Sequence, residues 1–584
     1  MTASRQSVQP ADRPVVRPIV SRPAADAGQL EALGDIDPLY ARLFAARGVT
    51  DAEQLDYALA RLAPVGMLDN VDAAVALLLD KRDERITIIG DFDADGATST
   101  ALMLRCLREF GFRDVGYLVP NRFDFGYGLS PEIVRIAAEA KPSLIVTVDN
   151  GVSSIDGVAE ARRFGIPVLV TDHHLPGAEL PAARVMLNPN LPGSRFPSRH
   201  LAGVGVAFYL LAALGRAVES RGVAGAARIP ARYLDLVALG TVADVVPLDH
   251  NNRILVQQGL LRIRAGKTVP GIRALIEQSG RQLARAVGAD LGFAVGPRIN
   301  AAGRLEDISL GIECLLTDDA GVAAHHAGVL DRINGERRDI EATMREQAFA
   351  YVEQFADRRL PACVCVYDES WHQGVVGLVA ARVRERCHRP AIAFARERNG
   401  CLKGSARSIP GVHARDLLEA VHAADPNVML KFGGHAMAAG LSIAEAKFDE
   451  FAKLASESLS RLYPDADFSG AIVTDGALPA GALNLDTARA LRNAGPWGAG
   501  FPEPLWCGDF EVLEQRTVGT SHLKLRVRPA AGGDVVDAIA FNQAGPAFRG
   551  IVRLAFRLEV NEFRGQQKPE LVVEQIAPLR ASAA

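Results

Sequence analysis

The sequence predicts an α/β protein with two lobes, a long helix joining them and a small β-barrel at the C-terminus. From residue 86 onward, short β-branched runs alternate with helical stretches, which is typical of a parallel sheet with right-handed crossovers. A charged stretch over 317–359 carries apolar residues at roughly helical spacing, which predicts one long helix. Beyond residue 467, short alternating strands separated by turn residues favour an OB-like barrel.

The composition is that of a globular protein with three or four domains. The chain has 584 residues, of which 48% are hydrophobic and 23% charged, and no apolar run is long enough to cross a membrane. The net charge of −4 means that any nucleic-acid surface must be a local basic region. Seven cysteines without Cys-x-x-Cys spacing predict reduced thiols in a cytoplasmic protein and argue against a zinc site.

We expect five parts along the chain. The first, over 1–30, is rich in Pro, Ala, Arg and Ser and is predicted to be a disordered tail. The other four are a catalytic domain with N-terminal helices over 31–316, the connecting helix over 317–360, a second α/β domain over 361–465 and the barrel over 466–584. In the first lobe the predicted strands are 86–89, 115–119, 143–148 and 166–170.

Three carboxylates, Asp91, Asp93 and Asp95, follow the first of these strands within one short turn. Open α/β sheets bind ligands at the carboxyl ends of their strands. Acids this close repel one another, and a bound cation offsets that repulsion. The alternative is a solvated acidic turn. An EF-hand loop is excluded because Leu102 occupies the position of the required bidentate Glu.

Further acids and two histidines follow later apolar segments. Asp149 ends one strand, Asp172-His173-His174 ends the next, and Asp244 lies in an apolar stretch. Because parallel strands end at one edge, we expect these side chains to meet the first cluster. The alternatives are that Asp149 or Asp172 only caps a helix and that the histidines are surface residues. The predicted metal ligands are Asp93, Asp95, Asp149, His173 and Asp244.

Such a ligand set favours manganese or magnesium over zinc, since carboxylate oxygens dominate it. Two such cations bridged by a carboxylate form the arrangement used for phosphoester hydrolysis.

The four acidic segments, 91–96, 148–151, 172–174 and 242–244, resemble in this order motifs I to IV of the DHH phosphoesterase family. Five further segments resemble the RecJ branch of that family, the single-strand-specific exonucleases: 120–130, 296–304, 371–377, 403–408 and 433–440. The last three are similar to the DHHA1 substrate domain. The resemblance therefore implies a DHH domain and a DHHA1 domain joined by the long helix, and it extends from about residue 60 to the C-terminus.

The resemblance also implies roles for single residues. The five predicted ligands match metal-binding positions, with Asp91 and His174 in support. A second group matches positions that hold the nucleic-acid backbone and its 5′ phosphate, and a guanidinium suits phosphate because it binds in a bidentate manner. This group consists of Arg122, Arg298, Ser405 and Arg407. Asn300, Arg304 and His435 are further predicted substrate-binding residues, and His435 could donate to a phosphate or to the leaving group. The alternatives are surface ion pairs for Arg298 and Arg304 and a turn with a core histidine for His435.

By this resemblance the protein is expected to be a metal-dependent exonuclease that degrades single-stranded DNA from 5′ to 3′ into mononucleotides, in DNA repair and recombination. A narrow cleft and stacking on Phe123, Phe125 or Tyr127 would exclude a duplex. The expected partners are single-stranded DNA, a single-strand-binding protein and a RecQ-type helicase, with no membrane and a monomeric chain.

Two other functions stay open. One is a DHH phosphodiesterase acting on short oligonucleotides, cyclic dinucleotides or pyrophosphate. The other is an inactive DHH scaffold protein. In the barrel, Lys524, Arg526 and Arg528 alternate with apolar residues, so they share one strand face. That face is either a nucleic-acid track or solvated surface.

Overall fold

The structure, a computed structural model, describes residues 16–120, 128–355, 360–397, 400–545 and 547–579. The chain divides into two compact units. The first unit comprises 1–296, 312–324 and 471–584, and the second comprises 297–311 and 325–470.

Seventeen strands and eighteen α-helices lie in the described residues. The strands are β1 Ile19–Ser21, β2 Arg85–Ile89, β3 Asp114–Leu118, β4 Leu144–Val148, β5 Val168–Thr171, β6 Val185–Leu187, β7 Val364–Tyr367, β8 Ala391–Arg396, β9 Cys401–Arg407, β10 Lys431–Gly434, β11 Ala438–Ala444, β12 Ile472–Thr474, β13 Trp506–Val518, β14 His522–Pro529, β15 Val536–Ala540, β16 Ile551–Phe563 and β17 Gln566–Pro578. The helices are α1 Ala27–Ala32, α2 Pro38–Ala45, α3 Val71–Asp80, α4 Ala94–Glu109, α5 Pro131–Glu139, α6 Ile155–Arg163, α7 Gly203–Glu219, α8 Leu234–Ala243, α9 His250–Arg264, α10 Pro270–Gln278, α11 Gly288–Asp290, α12 Gly296–Leu305, α13 Ser309–Leu316, α14 Ala320–Glu353, α15 Val376–Cys387, α16 Ala414–Ala424, α17 Phe448–Leu462 and α18 Leu485–Asn493.

The first unit contains a five-stranded parallel sheet in the order β3-β2-β4-β5-β6. Strand β4 is buried along its whole length, as its run of apolar and β-branched residues requires. The predicted parallel sheet is confirmed, and the four predicted strands match β2 to β5 within two residues at each end. Strand β6 was not predicted, because three residues are too few to show a periodic pattern.

The C-terminal part of the first unit is a closed barrel in the order β13-β14-β15-β17-β16. Strand β13 pairs with both β14 and β16, which closes the sheet on itself. Along β14 the side chains of Leu523, Leu525 and Val527 are buried, while the basic residues between them point outward. The predicted OB-like barrel is therefore confirmed.

The N-terminal segment packs with this barrel. Strand β1 pairs in parallel with β12, and Leu43 of α2 belongs to the barrel's apolar core. The Arg47 guanidinium donates to both carboxylate oxygens of Asp475, at 2.8 and 2.9 Å. The prediction of a disordered tail over 1–30 is therefore wrong for residues 16–30, because these residues contain β1 and the start of α1. Their partners lie more than 400 residues away, so local composition gives no sign of this order.

The second unit contains a five-stranded sheet in the order β10-β11-β9-β8-β7. Only β7 and β8 run parallel, and the other neighbours are antiparallel. The predicted long helix is confirmed as α14, which has 34 residues and lies before this sheet in the chain.

In the part of the chain that the structure describes, no single helix has the length and apolarity needed to cross a bilayer. One pair of helical segments, Leu59–Met67 and Val71–Asp80, meets that criterion only jointly and is bent by 79°.

Candidate functional site

Asp91, Asp93 and Asp95 lie in the turn between β2 and α4, at the carboxyl end of the sheet. Asp93 caps α4, since its Oδ1 accepts a hydrogen bond from the Gly96 amide at 3.0 Å. Asp91 Oδ1 accepts from the next amide, that of Phe92, at 2.8 Å. The predicted acidic turn therefore has one carboxylate used as a helix cap and a second, Asp95, buried within the first helical turn.

The buried Asp95 carboxylate is held by the N-terminus of α7. Its Oδ2 accepts from the Gly203 amide at 2.6 Å, and its Oδ1 accepts from the Val204 amide at 3.0 Å. Helix N-termini carry unpaired amides and a partial positive charge, which favour a carboxylate. A side chain at Gly203 would not fit, because its Cβ would lie 2.5 Å from Cβ of Asp149. Sequence reasoning missed both α7 residues, since backbone donors leave no side-chain signal.

Asp149 follows β4 directly and is almost fully buried. Its backbone has φ of +62°, in the left-handed region that aspartate tolerates better than most residues. The amide of Asp149 donates to the Thr171 carbonyl at 3.0 Å, which keeps the turn next to the end of β5.

Asp172, at the end of β5, organises the histidine pair. Its Oδ1 accepts from the amides of His173 and His174 at 2.7 and 3.1 Å, and it lies 2.8 Å from the His174 ring Nδ1. Its Oδ2 accepts from the Val152 amide at 2.8 Å. From the sequence, Asp172 was expected to be part of a motif or a helix cap, whereas in the structure its contacts orient both histidines.

The His173 ring faces three of the predicted acids. Its Nε2 lies 3.0 Å from Asp149 Oδ1, 3.5 Å from Asp244 Oδ2 and 3.9 Å from Asp95 Oδ2. Asp244 follows α8 rather than a strand, and its side chain is 22% exposed. The structure thus brings together residues from four separate segments, as the sequence predicted.

Three groups of these side chains have ligand atoms within 4.8 Å of one another and could hold a metal ion. They share members and together contain every predicted metal ligand. The groups are Asp149, His173 and His174; Asp95, His173 and Asp244; and Asp91, Asp93 and Asp149.

The electrostatics of the acids fit a cation site. Burial, and then the neighbouring Asp93, raise the pKa of Asp95 to about 7. Burial, and then the charge of Asp95, also raise the pKa of Asp149 and Asp244 well above the ordinary value. A divalent cation would lower the cost of the ionised forms, since opposite charge favours ionisation.

The second histidine has a different environment. Burial lowers its pKa, but the hydrogen bond and the charge of Asp172 act in the other direction and raise the pKa of His174 to about 9. The pKa of Asp172 is lowered: burial acts against this shift, and the contacts with His174 outweigh it. The pair therefore favours an ionised form in which Asp172 holds the ring in place.

The remaining predicted site residues lie in the second unit, except for Arg122. Arg122, together with Phe123, Phe125 and Tyr127, lies outside the described residues.

Helix α12 carries Arg298, Asn300 and Arg304. Arg298 forms an ion pair with Asp331 at 2.8 Å, and Arg304 donates to the Gly374 carbonyl at 3.1 Å. Arg298 thus forms an ion pair, but its side chain is only 12% exposed, so this is not the surface pair of the alternative. The roles of Arg298, Asn300 and Arg304 in substrate binding stay predictions.

Ser405 and Arg407 lie two residues apart on β9, so their side chains share one face. The Arg407 guanidinium donates to Ser405 Oγ at 2.9 Å. Both side chains face Gly377 in the first turn of α15, where an added Cβ would lie 2.7 Å from Arg407 Nη2 and 3.0 Å from Ser405 Oγ. The structure thus brings this pair together at a helix N-terminus.

His435 lies in the tight turn between β10 and β11. Its amide donates to the Ala438 carbonyl at 2.8 Å, and Ala438 is the register partner of Arg407. The residue is exposed, so it is not a core histidine.

The three basic residues of β14 each pair with a glutamate on a neighbouring strand. The contacts are Lys524 with Glu570 at 3.4 Å, Arg526 with Glu514 at 2.7 Å and Arg528 with Glu511 at 3.3 Å. The prediction that these three basic residues share the outward face of β14 is confirmed. The three glutamates largely balance their charge.

Three family profiles match the chain. They are the DHH family N-terminal domain over 85–241, the DHHA1 domain over 360–461 and the RecJ OB domain over 474–575. Their order is the order of the parallel sheet, the second sheet and the barrel.

Named relatives cover nearly the whole chain. The single-stranded-DNA-specific exonuclease RecJ of Dickeya dadantii is 51% identical over 97% of this chain and 100% of its own length. The protein of the same name from Escherichia coli is 49% identical over 93% of this chain and 96% of its own.

Solved structures agree. The crystal structure of RecJ from Thermus thermophilus in complex with Mn²⁺ is 32% identical, with a TM-score of 0.80 over 97% of this chain and 80% of that one. Its complex with Mg²⁺ gives a TM-score of 0.74 at 30% identity, over 97% of this chain and 79% of that one. With matching domains, near-full-length relatives and the same fold, the chain belongs to the RecJ family of DHH phosphoesterases.

Proposed function

We propose that the protein is a metal-dependent exonuclease that hydrolyses single-stranded DNA from the 5′ end to mononucleotides, in DNA repair and recombination. One observation carries the proposal: carboxylates and imidazoles from β2, β4, β5 and α8 converge at the carboxyl edge of the sheet. The names of the relatives support the substrate, and the Mn²⁺ and Mg²⁺ complexes support the metals.

The residues of the cluster suit two divalent cations, manganese or magnesium, because oxygen donors dominate and imidazole supplements them. When bound, the two cations would activate the attacking water and neutralise charge on the phosphate. We assign the cations to Asp93, Asp95, Asp149, His173 and Asp244. Asp91 and His174 border the same cluster and support it, and the amides of α7 keep Asp95 in place while the cations bind and leave.

We assign recognition of the 5′ phosphate to Ser405 and Arg407, with Arg122 as a third member. The first two lie at the N-terminus of α15, where backbone amides and the helix dipole favour an anion. Glycine at 377 leaves room for a phosphate to approach the backbone. An enzyme that binds the terminal phosphate at this site would start cleavage at the 5′ end.

Four further residues of the second unit are assigned to the DNA backbone: Arg298, Asn300, Arg304 and His435. His435 is exposed in a turn beside the strand pair that carries Arg407, a position from which its ring can donate to a phosphate. Arg298 would exchange its contact with Asp331 for a phosphate oxygen.

The barrel is assigned to the part of the strand that is not yet cut. A cavity of about 330 Å³ on its surface is lined by three basic residues and two acids, Arg516, Lys524, Lys568, Asp537 and Glu570. Phe563, which is 69% exposed, also lines it. Exposed aromatic rings that stack on bases, with cations between them, are typical of single-strand binding by OB folds.

We place the enzyme in the cytoplasm, as a monomer that works with a single-strand-binding protein and a RecQ-type helicase. The absence of any disulfide among the seven cysteines of the described residues supports a reducing compartment.

The test is hydrolysis of strands labelled at the 5′ or the 3′ end, from three to fifty nucleotides long, with Mn²⁺. We expect mononucleotides released from the 5′ end of every length and no cleavage of a blunt duplex. Activity confined to di- or trinucleotides would instead indicate an oligonucleotide phosphodiesterase, and no activity with either metal would indicate a scaffold.

A further inference from the structure

A buried asparagine, Asn252, joins two segments of the first unit that lead to the acidic cluster. It lies in the first turn of α9 and is fully buried. Its Nδ2 donates to the His200 carbonyl at 2.6 Å and to the Pro247 carbonyl at 3.0 Å. One side chain therefore connects the segment that precedes α7 with the segment that follows α8.

The first of these segments leads to the amides that hold Asp95. His200 is followed by Leu201 and Ala202, both fully buried, and then by Gly203, the first residue of α7. Buried, closely packed residues do not relax independently of their neighbours. A displacement of the His200 carbonyl would therefore move Gly203, and with it the Asp95 carboxylate that the Gly203 amide holds.

The second segment leads back to Asp244. Between Asp244 and Pro247 lies Val245, whose φ of +61° is in the left-handed region. A β-branched residue is strained there, and such a conformation persists only where the surrounding structure holds it. Arg253 holds the residue after Pro247, since its Nη1 donates to the Leu248 carbonyl at 3.0 Å. Side chains of α9 therefore fix two consecutive carbonyls just after the strained residue.

The residue that caps α9 forms a second connection between the same two segments. Asp249 Oδ1 accepts from the Asn252 amide at 2.9 Å, and its Oδ2 accepts from the Ser198 hydroxyl at 2.8 Å. Ser198 is buried and lies two residues before His200. The N-terminus of α9 thus holds the segment before α7 at two points.

Packing alone does not account for an amide at position 252. Among the residues that the structure describes, the buried Oδ1 of Asn252 has no hydrogen-bond partner. A buried polar atom without a partner costs free energy, whereas a leucine of about the same volume would fill this space with apolar atoms. The two hydrogen bonds that Nδ2 donates are therefore what the amide contributes.

We propose that Asn252 is a positioning residue that sets the spacing of Asp95 and Asp244 for one of the two cations. The proposal rests on the proposed metal-dependent nuclease function. Asn252 acts through the backbone of the two segments that it connects and not by contact with a cation. Residues that orient metal ligands in this way typically change metal affinity by about ten- to a hundredfold when they are replaced.

The proposal predicts that the two cations respond differently. Asp95 and Asp244 belong, with His173, to one candidate metal group. A second candidate group contains neither of these two acids and consists of Asp91, Asp93 and Asp149. Loss of the Asn252 amide should therefore weaken one cation and leave the other in place.

The test is a titration of the full-length, metal-free protein with Mn²⁺, followed by calorimetry and by the electron paramagnetic resonance signal of free Mn²⁺. We expect the wild type to bind two Mn²⁺ per chain. Asn252→Leu, which removes both donors at nearly constant volume, should weaken one Mn²⁺ at least tenfold and leave the other within threefold. The Mn²⁺ concentration for half-maximal hydrolysis should rise by the same factor, while KM for the strand at saturating Mn²⁺ stays within twofold.

Ser198→Ala is a second, milder variant, because it removes the other connection and only one oxygen atom. It should weaken the same Mn²⁺ about fivefold, as the loss of one hydrogen bond of about 1 kcal/mol predicts. If Asn252→Leu does not fold, this variant decides the question alone.

The matched control is Asn251→Leu, at the neighbouring buried position of the same helical turn. Asn251 Oδ1 accepts from the Ala63 amide at 3.0 Å and from the Tyr209 hydroxyl at 2.8 Å, and neither partner adjoins a predicted ligand. Asn251→Leu should lower the thermal midpoint of the metal-free protein about as much as Asn252→Leu does. Both Mn²⁺ affinities should nevertheless stay at the wild-type values.

Wild-type affinity for both Mn²⁺ in the Asn252 and Ser198 variants would overturn the proposal. Equal weakening of both Mn²⁺ in the Asn252 variant, matched by the Asn251 control, would overturn it as well and leave Asn252 with a role in stability only. Failure of the proposed function would look different, because the wild type would then bind Mn²⁺ but hydrolyse no strand of any length.

Discussion

Asp149 belongs to two of the three candidate metal groups, and its Oδ1 lies 3.0 Å from Nε2 of His173. We expect Asp149→Ala to lower Mn²⁺-dependent hydrolysis by at least a thousandfold, a loss of about 4 kcal/mol in the barrier. The metal-free variant should unfold at a higher temperature than the wild type, because a buried group repelled by Asp95 is removed.

Asp156→Ala is the matched control, since Asp156 is an exposed aspartate in the first turn of α6. It should leave both activity and the thermal midpoint unchanged. Activity of Asp149→Ala within tenfold of the wild type at saturating Mn²⁺ would refute the role of Asp149 in metal binding.

The pKa values of Asp95 and His174 make the metal-free protein sensitive to pH. The pKa of Asp95 is raised from 3.8 to about 7, so its contribution to stability falls as pH rises towards 7. The pKa of His174 is raised from 6.5 to about 9, so its contribution is complete below 6.5 and is lost as pH rises through 9. Both groups therefore stabilise the folded protein less as the pH rises. The thermal midpoint of the metal-free protein should fall from pH 6 to pH 9.

Differential scanning fluorimetry in EDTA measures this fall. Asp172→Asn removes the partner of His174 and should flatten the curve above pH 6.5. Added Mn²⁺ should raise the midpoint more at pH 8 than at pH 6, because carboxylates bind metal in the ionised form. A metal-free midpoint that rises between pH 6 and 9 would contradict these assignments.

Arg407 is the residue on which the direction of cleavage depends in the proposed mechanism. A charge-assisted contact with phosphate contributes roughly 1.5–3 kcal/mol. Arg407→Ala should therefore weaken binding of 5′-phosphorylated strands by about one to two orders of magnitude. The matched control is Arg415→Ala, which removes an exposed arginine paired with Glu419. Equal losses on 5′-phosphate and 5′-hydroxyl strands would reassign Arg407 to the backbone.

At the residue scale, the sequence was enough to find the acids and histidines of the cluster, because each lies beside a long apolar run or in a recognisable motif. It was not enough to find the backbone amides that hold Asp95. It also missed the pairing of Lys524, Arg526 and Arg528 with glutamates, since cross-strand partners depend on register.

At the scale of elements, α7 matters more for the cluster than its apolar sequence suggests. Its first two amides hold Asp95, and the absence of a side chain at Gly203 lets Asp149 approach. We expect Gly203→Ala to displace one of the two carboxylates and weaken Mn²⁺ binding at least tenfold, as isothermal titration calorimetry would measure. The helix itself should persist, because alanine is the better helix former.

Gly205→Ala, two residues further along α7, is the matched control. Its Cβ would meet only the Leu201 side chain, whose nearest methyl lies at 3.0 Å and can move. It should therefore leave Mn²⁺ affinity unchanged. Wild-type Mn²⁺ affinity in Gly203→Ala would show that the contact between α7 and the acids can relax without consequence.

Element prediction succeeded where the apolar pattern is long. Strands β2 to β5 and helix α14 follow from periodicity, whereas β6 and β1 have only three residues each. Short strands are stabilised by the strand beside them, so their own residues carry little of the information.

At the scale of the whole molecule, the N-terminal segment completes the first unit at the barrel. Arg47 and Asp475 are buried, with 0% and 3% of their side chains exposed, and they form a bidentate ion pair. The Asp475 carboxylate also accepts from the Leu505 amide at 3.0 Å, just before β13. No pattern in residues 16–50 predicts this, because the partners are more than 400 positions away in the sequence.

This organisation changes how the barrel should be tested. Truncation before residue 467 would remove β12, the partner of β1. It would also remove Trp497, which lines a cavity together with Val245 and Val246, the two residues after Asp244. Point substitutions in the barrel leave these contacts in place and report on DNA binding alone.

The same organisation predicts that one N-terminal residue controls the stability of the C-terminal barrel. Arg47→Ala removes the bidentate partner of the buried Asp475 and leaves it only Arg22, whose Nε lies 3.5 Å from Asp475 Oδ1, which costs up to roughly 3–5 kcal/mol. Amide hydrogen exchange should then quicken in β13 to β17 and remain slow in β2 and β4, while trinucleotide hydrolysis persists. Arg42→Ala, which changes an exposed residue of α2, should change neither the exchange rates nor the hydrolysis.

The double substitution Arg47→Met with Asp475→Leu should restore most of the protection, because a buried ion pair can be replaced by apolar groups. Faster exchange in β2 and β4 at the same rate as in the barrel would show instead that the first unit unfolds as one cooperative body.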